Sequence, residues 1–382
     1  MENKSDLTKF SIPNDIMYGI FSWLPYKSLT RFKCLSKFYD SLVSDSSFIN
    51  IHHAHSVSRP GNMKLVALFH PDRMELGAHS EDGNRFCTIY QKSSAEHKKT
   101  TVVRIEELDG IKFPRFDYVN GLFCLWNRNV HPPAIYNPTT SKLRYLPCLN
   151  RTDYGFSTSY YYSLGFEPDE KKYKILMSST PEHKNSPARQ WVLTLGSSES
   201  WREIKSAPCF LFLLLRGGVC IEGAIYFVGA HKKRCIVAFN VRTENFRIIS
   251  LWNDAIDVPS RNFYNLIEVK GKLAVVDRSR WDEGEMDLRI LQSCGTREEW
   301  GKQTILFSEE VCDSLKTDFM GCFCSSTPDG EILFIALHQN WMVLYDLKKK
   351  SWREIKITEL AETVKLVGIY SHIDSLLSCI YC

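Results

Sequence analysis

The hexapeptide Ser200-Trp201-Arg202-Glu203-Ile204-Lys205 recurs unchanged as Ser351-Trp352-Arg353-Glu354-Ile355-Lys356. An internal repeat narrows the possible folds more than any other feature, because it means several copies of one structural unit packed side by side. A looser form recurs at 134–143, 192–201, 237–246, 288–300 and 343–352: a short apolar run, a polar turn, then an aromatic or Leu. The copies are spaced by about 45 to 58 residues, the period of propeller blades. Second turn signals lie between them at 167–172, 221–223, 269–272 and 328–331. Two hairpins per period make a four-stranded antiparallel sheet. Apolar runs at 64–69, 364–370 and 375–381 are left over. They predict a sixth blade assembled from both ends of the chain, which would close the ring and remove exposed sheet edges. The expectation for 64–382 is an all-β, six-bladed propeller, with five or seven blades as the alternative counts and a large antiparallel sandwich as the alternative architecture that the period disfavours. The aromatic content of 13% suits strands, since flat side chains fit a pleated, half-buried surface.

The first fifty-odd residues have a different period. Ile12, Ile16, Ile20 and Leu24 fall every fourth residue, along one side of a helix. Ser11, Pro13 and Asp15 suit its start, and Pro25 stops it. Ser28 is placed to cap a second helical stretch whose stripe is Leu29, Phe32, Leu35, Tyr39 and Leu42. Two short amphipathic helices cannot bury such stripes alone. Periodicity leaves open whether they pack on the rest of the chain or on a partner.

The residue order goes further. Ile12-Pro13-Asn14-Asp15-Ile16, then Leu24-Pro25-Tyr26-Lys27-Ser28-Leu29-Thr30-Arg31-Phe32-Lys33-Cys34-Leu35-Ser36-Lys37, then Ser41 to Ile49, closely resembles the F-box, with Tyr39 where that family usually has Trp. The expected organisation is an all-α F-box module at 11–58, a linker at 59–63 and the β domain at 64–382. The resemblance implies a Skp-family adaptor as partner and, through it, cullin and RING subunits. Ile12, Pro13, Ile16, Ile20, Leu24, Pro25 and Leu29 match the positions that supply the adaptor-facing surface, with Cys34 and Lys37 as additions. Phe32, Leu35 and Leu42 are expected to stabilise the module internally. Further on, Asn120-Gly121-Leu122-Phe123-Cys124-Leu125-Trp126, Tyr136-Asn137-Pro138-Thr139-Thr140, Leu164-Gly165-Phe166-Glu167-Pro168 and Ser200-Trp201-Arg202 resemble the motifs of the plant F-box-associated domain, which is kelch-like. The kelch double glycine is clear only at Gly217-Gly218. Relatives of this architecture include S-locus F-box proteins and others in hormone, defence or stress signalling, among which the sequence does not choose.

The chemistry-bearing candidates are few. A net charge of +4 gives no reason to propose nucleic-acid binding, and the basic runs 97–99, 231–234 and 348–350 read as solvated loop tips. The polar N-terminus and the absence of a long apolar run point away from secretion and the membrane, towards cytosol or nucleus. The thirteen cysteines have no framework spacing and read as reduced, buried small hydrophobes. His52-His53-Ala54-His55 lacks a second ligand pair and reads as a solvated helix end or linker. Cys379 and Cys382 have redox spacing away from a helix start, and Cys322 and Cys324 share a strand face. No phosphate-cradling loop or nucleophile elbow is present, so neither catalytic residue nor cofactor is expected. The implied role is substrate recognition in an SCF-type ubiquitin ligase, with a protein substrate held by loops such as 151–162, 181–187 and 278–285. An adaptor-bound scaffold outside a ligase and a propeller enzyme are the alternatives.

Overall fold

A computed structural model describes residues 13–58, 64–71, 84–92, 99–108, 115–127, 132–149, 160–179, 189–197, 200–205, 211–212, 218–230, 234–252, 264–294, 298–307, 323–327, 329–335, 341–356, 364–373 and 375–376. Four helices come first: α1 (Asn14–Ser22), α2 (Tyr26–Lys33), α3 (Lys37–Ser44) and α4 (Ser46–Ser58). Ser28 lies inside α2 and does not cap it; Pro25 stands at the cap position, where its fixed φ suits a helix start and its missing N–H costs nothing. The expected second stretch is divided into α2 and α3. Ser36 turns out of the helix and accepts the Tyr39 N–H at 3.4 Å, a local bond that competes with helix continuation. Asp45 caps α4 in the same way, through Phe48 N–H at 2.8 Å. Phe21, Leu29, Leu42, Val43, Phe48 and Ile49 form the core of this module.

The remainder is β-structure. Five sheets are each built from consecutive strands. The first blade comprises Arg115–Val119, Leu122–Trp126, Ala134–Asn137 and Lys142–Tyr145. The second comprises Tyr160–Glu167, Lys172–Ser179, Gln190–Thr194 and Arg202–Glu203. In the third, Leu211–Phe212 and Val219–Ile221 share one side of Ala224–Ala230, followed by Arg234–Asn240 and Phe246–Ser250. Tyr264–Val269, Lys272–Asp277, Glu285–Cys294 and Glu298–Leu306 make the fourth, and Phe323–Ser326, Ile332–Ile335, Trp341–Asp346 and Ser351–Lys356 the fifth. The five sequence copies are the third-to-fourth-strand hairpins of these blades. Blades of local strands therefore number five, not the six expected from the sequence, because no further run of four consecutive strands remains to build another. The two chain ends do meet, Val364–Ser371 pairing antiparallel with Lys64–Pro71, which continues into Asn84–Lys92 and Lys99–Leu108.

Alternating side chains explain the packing. In the second blade Tyr160 and Tyr162 join the core shared with the first, while Tyr161 joins the core shared with the third. Successive strand residues point to opposite faces, so each sheet supplies both of its neighbours. Tight turns at Glu222-Gly223 and Lys270-Gly271 have φ of 47° and 77°, and 52° and 76°, the geometry that matches strand twist in a two-residue hairpin.

The repeated hexapeptide has a physical role. Trp201 Nε1 donates to the Pro147 carbonyl of the preceding blade at 2.7 Å. Trp352 does the same to Leu306 at 2.9 Å, and Trp300 to Ser250 at 3.0 Å. Each Trp fastens the outer strand of one blade to the end of the previous one. The sheet of the two chain ends packs beside the first blade, where Tyr370 lies 4.9 Å from Tyr118 and 5.8 Å from Phe123 between ring centroids.

Antiparallel pairing gives the ring two ends. First-to-second and third-to-fourth strand turns lie at one, the turn end. Second-to-third connections and crossovers between blades lie at the other, the loop end. Because Val364–Ser371 pairs with Lys64–Pro71, the helical module stands where a first-to-second turn would be. It therefore sits at the turn end, and His53 packs against Phe166 beside the second blade's turn, ring centroids 6.0 Å apart.

Candidate partner-binding surfaces

Among the described residues, six large hydrophobic side chains of the helical module are exposed: Ile16, Ile20, Trp23, Leu35, Phe38 and Ile51. The far larger β domain contributes three, Tyr145, Ile248 and Leu306. Single exposed apolar residues are ordinary, but this density on four short helices makes the module the candidate interaction surface.

Ile16 and Ile20, each 52% exposed, lie one turn apart on α1, on a different face from buried Phe21. Pro13, Pro25, Cys34 and Lys37 are exposed as well, and Leu24 is half-buried. Leu29 departs from the expectation: it is 0% exposed, at the centre of the module core, where α2 must bury one residue against Phe21 and Phe48. Ile12 lies outside the described residues. Leu35 departs in the other direction, at 69% exposure, because the break at Ser36 places it in the turn between α2 and α3. Phe32 and Leu42 take the internal positions expected of them. The sequence reading did not single out Trp23, Phe38 or Ile51; for Trp23 and Phe38, an aromatic at a helix end is a readable signal.

The histidine run is not the solvated helix end or linker expected of it: it lies within α4 and packs inward. His52 is buried, its Nε2 2.9 Å from the Leu24 carbonyl oxygen, tying α4 to the end of α1. His55 stacks on Trp23 with centroids 3.9 Å apart, and His53 faces Phe166. Burial lowers the His53 pKa, helped by neighbouring His52 and Lys171.

At the loop end, 151–159 and 181–187 lie outside the described residues, while Tyr160, Tyr161 and Tyr162 open a strand and are buried. The 278–285 connection is built largely into its own blade, with Asp282 and Glu283 exposed at its tip. Its Arg278 and Trp281 are buried, and Arg280 is fastened to Glu285 and, at 2.9 Å, to Asp287 of its own blade. Burial raises the Asp277 pKa, whereas Lys302, Thr304 and Arg280 outweigh desolvation and lower that of Asp287. The Lys348-Lys349-Lys350 run is a turn whose first two N–H groups bond Asp346 at 2.9 and 3.0 Å.

Among the described cysteines Cys124 and Cys235 are buried as expected, whereas Cys34 and Cys148 are exposed. Burial pushes Cys220 up to about 12 and Cys124 well above the ordinary thiol range. Cys322, Cys379 and Cys382 lie outside the described residues. Asp117 is buried and raised to about 7 by desolvation, against N–H bonds from Leu164 and Tyr118 at 2.9 Å. The Leu164 bond joins the inner strands of the first and second blades. Among the described residues no group of three or more His, Cys, Asp or Glu side chains could hold a metal ion, and no helix is long and apolar enough to cross a membrane.

Residues 74–378 match the family model of the F-box associated beta propeller domain. Three relatives come from Arabidopsis thaliana. F-box protein At1g30790 is 28% identical over 382 residues, covering 92% of this chain and 90% of the relative. Putative F-box protein At1g32420 is 29% identical over 272 residues, 70% and 82% of the two chains. F-box protein At3g57590 is 30% identical over 320 residues, 79% and 74%.

Proposed function

The chain belongs to the F-box proteins that carry an F-box-associated β-propeller domain, and we propose that it is the substrate-recognition subunit of an SCF-type cullin–RING ubiquitin ligase. The observation that carries this reading is the exposed apolar surface of the helical module, since such a surface on an otherwise packed molecule is suited to a partner. On this reading the module, 11–58, joins through 59–63 to the propeller, 64–382. A Skp-family adaptor contacts Pro13, Ile16, Ile20, Pro25, Cys34 and Lys37, with Trp23, Leu35 and Phe38 adding apolar area. Leu24 lies at the margin, and Leu29 supports the surface from below. A protein substrate binds at the loop end, away from the adaptor. The chain supplies no catalytic group or cofactor; it raises the local concentration of substrate lysines near the conjugating enzyme. Cytosol or nucleus is the compartment that fits.

The test is a pull-down with a plant Skp-family adaptor, comparing wild type with Ile16→Asp/Ile20→Asp. Both positions are half-exposed, so the variant should stay folded and lose the adaptor. Equal capture of folded variant and wild type would sink the surface assignment. Adaptor capture without cullin would favour a scaffold outside the ligase.

A further inference from the structure

Two motifs of the first blade have no part in these surfaces: Asn120-Gly121 and Tyr136-Asn137-Pro138-Thr139-Thr140. Both form turns at the turn end, and both meet the segment that follows the last strand. Asn137 Nδ2 donates to the Ser375 carbonyl at 3.0 Å, while its Oδ1 accepts the Thr139 and Thr140 N–H groups and fixes the turn. Thr139 Oγ1 stands 3.1 Å from His372 Nε2 and accepts the Ser375 N–H at 3.3 Å. The Tyr118 hydroxyl stands 3.1 Å from His372 Nδ1 and accepts the Ile373 N–H at 3.3 Å. At Gly121, φ is +91° and a Cβ would lie 2.7 Å from the Ile373 carbonyl oxygen, so glycine alone leaves room. The adjoining Leu376 is buried in the helical module's core with Phe21, Leu29 and Phe48.

We propose that these motifs are a seat for the chain's own segment, His372–Ile373 and Ser375–Leu376, and that the seat positions the helical module on the ring. Tyr118, Gly121, Asn137 and Thr139 hold the segment, and Leu376 carries that hold into the module. The covalent connection at 59–63 is one attachment, the His53–Phe166 contact a second and the seated segment a third. Together they fix the module's attitude, which a tether alone would leave free to swing. The adaptor surface and the loop end are thereby kept at a set distance. The seat itself is independent of the ligase reading; its consequence for ubiquitin transfer rests on that reading.

Tyr118→Phe/Thr139→Val tests this in the full chain. It removes both hydroxyls while keeping the apolar bulk and leaving the module core intact, which Leu376→Asp would not. With paired spin labels on α1 and on the fifth blade, wild type should give one narrow distance and the variant a broad distribution. Amide exchange in α1–α4 should rise about tenfold or more, the scale of losing several hydrogen bonds, with blade amides unchanged. In a reconstituted ligase, adaptor capture should be unchanged while self-ubiquitination spreads over more lysines. An unchanged narrow distance in the variant would overturn the proposal. Failure of wild type to bind any adaptor would instead sink the ligase reading, with the distance measurement still deciding the seat.

Discussion

Leu29→Ala separates the module's core from its surface, and the structure gives the size of the effect. Leu29 is fully buried among Phe21, Phe48, Leu42 and Leu376. Truncating such a leucine costs roughly 2.7–5 kcal/mol, the spread reflecting how far the site collapses. At about 1.4 kcal/mol per tenfold, the opened module should become about a hundredfold to a few thousandfold more populated. Ile20→Ala removes the same number of carbons from a side chain that is 52% exposed. Roughly half the transfer energy is at stake, about 1 kcal/mol, and no closed cavity is left behind. The assay is native-state hydrogen exchange, resolved into amides of α1–α4 and of the blades. Leu29→Ala should accelerate the helical amides strongly and leave the blades near wild type. Ile20→Ala should change the helical amides about fivefold or less while weakening adaptor capture. Helices as well protected in Leu29→Ala as in wild type would refute the assignment of Leu29 to the core. The same result would restore it to the adaptor surface, where the F-box resemblance placed it.

Two further outcomes follow from the packing. Trp201→Phe and Trp352→Phe each delete one inter-blade N–H bond and keep a ring, so each should cost about 1 kcal/mol and lower the melting temperature by a few degrees; a null result in both would mean that the repeated Trp acts by ring packing alone. His53 is kept below the usual imidazole range, first by burial against the second blade, then by His52 and Lys171. Its folded pKa is lowered, so the undocked state binds more protons in mild acid. Docking should be fully stable above the free imidazole value of about 6.5 and weaken as pH falls below it. Module amide exchange followed from pH 7.5 to 5 should show that slope, and His53→Asn should flatten it; an equal slope in the variant would assign the titration elsewhere.

Much of the β domain was legible because its repeat is local. Turn residues, alternating apolar runs and the two copies of Ser-Trp-Arg-Glu-Ile-Lys mark hairpins, and a hairpin pairs neighbours in sequence. The F-box motif was legible for the same reason, since its positions fall at fixed spacing on short helices. The partition of its apolar residues was not. Leu29 and Leu35 look alike in a helical stripe, yet one is buried and the other exposed, because Ser36 breaks the stripe and resets the phase of α3. The loops proposed for substrate contact show the same limit: nothing in 278–285 reveals that Arg278 and Trp281 turn inward.

By itself, then, the sequence determined the unit, a four-stranded blade repeated along the chain, and the presence of a helical F-box module ahead of it. Those features depend on contacts between residues close in the chain, and residue type and spacing record them directly. The leftover end runs pointed to the two ends joining, but tertiary structure alone decided the register and the contacts by which they meet. The pairing of Lys64–Pro71 with Val364–Ser371, the seating of His372 against Tyr118 and Thr139, and the burial of Leu376 among the helices join residues hundreds of positions apart. No local period encodes such contacts, because they depend on the ring first bringing the two ends together.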